Sequence, residues 1–148
     1  MKRMICYILM IVLLVGVMPI GASASEIKTI YFEDGCYAII ELSTNETRAS
    51  GSKSGSKTYN YYDSSDVKLW KAVLTGSFTY TGSGASCTAA DLDITIYNSA
   101  WSTQYGYASK DGNKAVGSGM MLKKTLGVTV LRESVSLTLT CDANGNLS

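Results

Sequence analysis

Asp91 and Asp93 stand two residues apart. On an extended chain both carboxylates project from one face, where they could share a divalent cation or act as the acid and base of sugar hydrolysis. The same pair alternates with Leu92, Ile94 and Ile96, the pattern of a solvated sheet face, and that plainer reading makes them weak metal candidates. Asp142-Ala143-Asn144-Gly145-Asn146 gathers oxygen donors at alternate positions, but its glycine comes too early for a calcium loop and no acidic side chain closes it, so a polar turn accounts for it. Ser50-x-x-Lys53, Ser54-x-x-Lys57 and Ser65-x-x-Lys68 match a serine–lysine nucleophile pattern that needs a helix to bring lysine to serine, and no helical periodicity surrounds them.

Trp101, Tyr105 and Tyr107 share one parity and would form a row on one face of a strand. An exposed row of flat rings stacks on sugars; a buried one lines a core, which is the commoner fate of such side chains. Tyr59, Tyr61 and Tyr62 make a second aromatic cluster.

The chain has 148 residues and no histidine. That excludes Ser-His-Asp and Cys-His nucleophile activation, histidine-ligated zinc and imidazole proton transfer. A formal net charge of +1 lacks the clustered positive surplus that nucleic acid requires. No motif for a cofactor is present, and a non-enzymatic protein is expected.

Met1 to Ala24 reads as a secretory signal peptide: Lys2 and Arg3, an apolar run from Ile5 to Val17, then the small-residue site Ala22-Ser23-Ala24. Contact with membrane is expected only through this segment during export, leaving a secreted domain of residues 25–148. In that oxidising setting one cysteine pair is expected. Cys87 opens a strand region and Cys141 closes the last one on its apolar face, and a bridge between them would be worth ~4 kcal/mol in a chain-entropy account. Cys36 is then either a small buried apolar residue or a thiol for an intermolecular bond.

The elements that must position these groups are strands. Ile27 to Phe32 and Cys36 to Leu42 flank Glu33-Asp34-Gly35, a hairpin signature. From Val67 to Tyr80, Trp70, Ala72, Leu74, Phe78 and Tyr80 alternate with polar residues, and Gly76 interrupts the apolar face as a bulge would. Leu92 to Ile96, Trp101 to Tyr107, Ala115 to Lys123 and Ser134 to Cys141 continue the pattern. Residues 43–56 hold no apolar side chain larger than alanine and predict a mobile loop. The fold expected is an all-β, antiparallel two-sheet sandwich, immunoglobulin-like in general architecture only, since Leu139 stands where that family's second-cysteine tyrosine would be.

Leu69-Trp70-Lys71, the run Thr75 to Gly82, Ser86-Cys87, Tyr97, Trp101 and the ending Thr138 to Asn146 together resemble small secreted proteins of clostridial, Gram-positive gut bacteria that carry no known function. The resemblance implies export and a structural Cys87/Cys141 pair, and transfers no catalytic residue. The expected activity is binding of an extracellular or cell-surface partner, a glycan among the candidates. A bacteriocin-like antagonist is the alternative, and a carboxylate-based glycan hydrolase built on Asp91 and Asp93 is a third.

Overall fold

The computed structural model describes residues 26–45 and 51–148, so the expected signal peptide, residues 1–24, lies outside the described residues. Every regular element among the described residues is a strand. β1 (Ile27–Tyr31), β2 (Tyr37–Asn45), β3 (Ser52–Tyr62), β4 (Lys68–Tyr80) and β5 (Ala85–Ile96) form one antiparallel sheet. β6 (Trp101–Asp111), β7 (Lys114–Thr125) and β8 (Val128–Thr140) form the second. The two-sheet, all-β expectation holds. Strand order in both sheets is simply chain order, so the connectivity is a meander of hairpins, with none of the returning strands of an immunoglobulin domain.

Alternation builds the core. Trp70, Ala72, Leu74 and Phe78 of β4 face inward together with Ala38, Leu42, Tyr59 and Tyr61, and meet Ala115, Met121, Val135, Leu137 and Leu139 of the second sheet. Trp70 is held between Tyr59 and Tyr61, with ring centroids at 5.3 and 5.0 Å and planes within 10° and 15°. Gly76 lets the Phe78 ring lie back over the strand: a Cβ there would come within 2.8 Å of that ring and 3.0 Å of Ala115 Cβ. The bulge expected at this glycine lies in β5 instead: Ser77 pairs with Ala89 and Phe78 with Cys87, leaving Thr88 as the extra residue.

Aspartates organise three of the turns. Asp34 accepts the Cys36 N–H, Asp63 accepts the N–H groups of Ser65 and Val67, and Asp142 accepts those of Asn144 and Asn146. The last of these closes a small C-terminal hairpin, in which Cys141 bridges to Leu147 and Thr140 exchanges two backbone bonds with Ser148. The Asp142–Asn146 segment is thus the polar turn that its composition indicates. The Asn146 side-chain and backbone N–H groups foremost, then those of Asn144 and Gly145, hold the Asp142 carboxyl below the ordinary aspartate range. A depressed carboxyl stabilises the fold above its unfolded pKa, about 4, and this contribution is lost as pH falls through the lower folded value. Amide protection at Asn144 and Asn146 is therefore expected to fall between pH 5 and 2 in hydrogen-exchange NMR, and Asp142→Ala to show the low protection at every pH.

The mobile loop expected at 43–56 needs correction over 43–45 and 52–56, while residues 46–50 lie outside the described residues. Ser43, Thr44 and Asn45 pair with Ser56, Gly55 and Ser54, and residues 52–56 pair in turn with Thr75 to Thr79 of β4. β3 is an interior strand, so backbone hydrogen bonds on both sides order it. The missing apolar side chains are supplied from elsewhere: Leu147 packs so closely over Gly55 that a Cβ there would meet its Cδ1.

Candidate functional site

The aromatic row read on β6 is split by a bulge. Trp101, Ser102 and Thr103 pair with Lys123, Leu122 and Met121, but Tyr105 pairs with Met120, leaving Gln104 as an extra residue. One inserted residue inverts the alternation. Trp101 turns into the core, 5% exposed and edge-on to Tyr61 at 5.6 Å, while Tyr105 and Tyr107 turn outward, 42% and 59% exposed. Trp101 is therefore removed from the proposed stacking row. Its two former companions remain, with ring centroids 5.9 Å apart and planes 27° apart.

Around this pair the outer face of the second sheet is mixed, with serines beside Met120. Tyr105 lies in register with Met120 and Ser134, and Tyr107 with Ser118 and Ser136. Arg132 donates from Nη1 to Gln104 Oε1 at 3.1 Å, tying β8 to the bulge across the sheet. Two flat rings bordered by hydroxyls can lie against the apolar face of a sugar while the hydroxyls exchange hydrogen bonds with its rim.

A second array crosses the outer face of the five-stranded sheet and was not legible as a row. Tyr31, Tyr37, Tyr62 and Lys68 are register partners on β1 to β4, and Tyr97 follows β5. Tyr37 and Tyr62 stack at 5.0 Å and 8°, and Tyr31 lies 6.0 Å from Tyr37. The Lys68 ammonium sits 5.4 Å from the Tyr62 centroid and 5.9 Å from that of Tyr97. Tyr37 donates its hydroxyl to Asp66 Oδ1 at 2.9 Å, and this bond, ahead of desolvation, raises its pKa to about 12. Of the other tyrosines read as a cluster, Tyr59 and Tyr61 are core residues and only Tyr62 joins the surface.

The Cys87 and Cys141 pair stands otherwise than expected. Among the described residues Cys36, Cys87 and Cys141 are free thiols, so the Cys87–Cys141 bridge is corrected. Each sulfur is directed to a carbonyl nearby in its own segment, Cys87 Sγ to Ala89 at 3.2 Å and Cys141 Sγ to Asp142 at 3.4 Å. Their backbones meet instead at the β6–β7 turn, where Cys87 N–H donates to Gly112 and Cys141 N–H to Asn113. Burial pushes both thiols up, which makes them poor nucleophiles. Cys36 is half-buried beside the core, and its thiol is likewise raised by burial foremost.

Asp91 and Asp93 do project from one face, the exposed outer face of β5, opposite Thr75 and Val73. Among the described residues no group of three or more acidic or cysteine side chains comes together as metal ligands. At the open flank of the sandwich a cleft of about 310 Å³ lies between Lys28, Ile40, Leu42, Lys57 and Leu137, with Glu26 at its rim. There the Lys57 ammonium donates to the Thr138 carbonyl at 2.9 Å, occupying backbone that edge strand β8 leaves unpaired.

No protein-family model matches the chain, and no curated protein matches it. Among solved structures, a crystal structure of a hypothetical protein from the Gram-positive bacterium Listeria monocytogenes is similar. It is 15% identical, with a TM-score of 0.48 over 88% of this chain and 96% of that one.

Proposed function

We propose that this chain is a secreted, non-enzymatic protein that binds an extracellular or cell-surface glycan on the outer face of its three-stranded sheet. The observation that carries the reading is the Tyr105–Tyr107 stack, exposed on a strand whose neighbours present serines. Rings left in water on a sheet face cost hydration free energy that a stacked ligand recovers. Export rests on the leader at Met1 to Ala24, and the resemblance to clostridial secreted proteins agrees with it. The absence of histidine from the chain supports binding over catalysis.

The test is a glycan array with the purified protein, followed by titration of the best glycan. Tyr105→Ala with Tyr107→Ala is expected to weaken binding at least tenfold, the equivalent of ~1.4 kcal/mol. The thermal midpoint should stay unchanged, since both rings already face solvent. Undiminished affinity in the double variant, or no glycan bound by the native protein, ends this reading.

A further inference from the structure

We propose that the tyrosine row across the five-stranded sheet is a second binding site, and that its ligand is an extended acidic polysaccharide, a polymer of sugars bearing carboxylates. This site does not rest on the Tyr105–Tyr107 face, which lies on the outside of the other sheet.

Three observations lead to that chemistry. The first is geometric. Tyr31, Tyr37, Tyr62, Lys68 and Tyr97 run perpendicular to the strands, and at about 4.8 Å per strand they span about 20 Å. That is a straight track several sugar rings long, far more than a small ligand covers. The second is that the track is preset. The Tyr37 ring is pinned by Asp66 and stacked on Tyr62, so little side-chain entropy remains to be lost when a chain settles on it.

The third is charge. Lys68 stands in the row between two ring faces, and Lys71 follows on the same strand in register with Asn60. Among the described residues neither lysine has an ion-pair partner. The acids of the turn beside the row are already engaged, Asp63 holding the Ser65 and Val67 amides and Asp66 accepting the Tyr37 hydroxyl, while Glu41 and Asp93 stand one register row beyond Lys71 on the same face. A carboxylate on the ligand therefore meets an unpaired ammonium at Lys68, while sugar hydroxyls can donate to the oxygen of Asp66 that Tyr37 leaves over. A neutral polysaccharide would use the rings and leave Lys68 unanswered.

The experiment compares polygalacturonate with its fully methyl-esterified form, which keeps the backbone and removes the charge. Binding to the full-length mature protein is measured by affinity electrophoresis and calorimetry. The native protein is expected to prefer the acid form about tenfold at low salt, with the preference shrinking as sodium chloride is raised. Lys68→Gln should abolish the preference and leave ester binding unchanged. Tyr97→Ala and Tyr31→Ala should weaken both forms severalfold; these rings are 52% and 79% exposed, so folding is not at risk. Equal binding of the two forms by the native protein, no binding of either, or row variants that behave like the native protein would overturn the proposal. If the Tyr105/Tyr107 double variant alone abolishes binding, this second site fails while the first stands. If the row variants alone weaken it, the second site holds, and the first stands or falls on its own titration with the best glycan of the array.

Discussion

Trp70→Ala is expected to cost about 3–5 kcal/mol of stability, the range for deleting a large buried aromatic. It should appear as a fall in the denaturant midpoint with little change in slope. Trp70 is fully buried, lies flat between Tyr59 and Tyr61, and reaches Trp101 at 6.3 Å across the sheet interface. Removing it empties the space between three other rings that cannot collapse together, because each belongs to a hydrogen-bonded strand. Trp70→Phe supplies the comparison. Among the described residues the buried indole Nε1 has no hydrogen-bond partner, so phenylalanine discards a donor that is already a liability while keeping a ring in the stack. Its cost is expected to be well below half that of alanine. Equal losses for the two variants would mean that stacking is not what Trp70 contributes.

Gly76→Ala comes second, at about 1–3 kcal/mol, for the opposite physical reason. The added methyl carbon would lie 2.8 Å from the Phe78 ring and 3.0 Å from Ala115 Cβ. Phe78 is 1% exposed, so its ring has nowhere to swing, and Ala115 is fixed in the facing sheet. One of the two layers must shift to admit the group. Gly84→Ala is the matched control, since nothing lies within 4 Å of its added carbon. That substitution should be neutral or slightly stabilising, through the unfolded chain alone. Comparable thermal midpoints for the two alanine variants would show that the sheets are not packed as tightly there as described.

The layered all-β fold was legible because period-two alternation over β4, β5 and β8 specifies which side of each strand is apolar, and glycine-containing turns lie between β4 and β5 and between β7 and β8. What alternation does not report is a break in itself. Gln104 adds one residue to β6, and every inference carried across it from Trp101 to Tyr105 and Tyr107 changes face. The strand pairing of residues 43–45 and 52–56 escapes composition for a related reason. Local composition measures what a segment can bury by itself, whereas β3 borrows Leu147 from the chain's far end. The Tyr31-to-Tyr97 row is invisible to any local reading, since its members are scattered over four strands and the residue after a fifth, and only tertiary pairing lines them up. Compartment and strand position favour a sulfur bridge, but neither constrains where a Sγ points.

Strand succession has a kinetic corollary. Each strand's hydrogen-bonding neighbour within its sheet is adjacent to it along the chain, so loop closure never has to bring distant segments together before backbone pairing begins. A chain emerging amino end first can zip up hairpin by hairpin, and the first layer is complete before the second has been made. Low contact order of this kind places an all-β domain toward the fast end of its class, and limits the time during which unpaired edges are open to neighbouring copies.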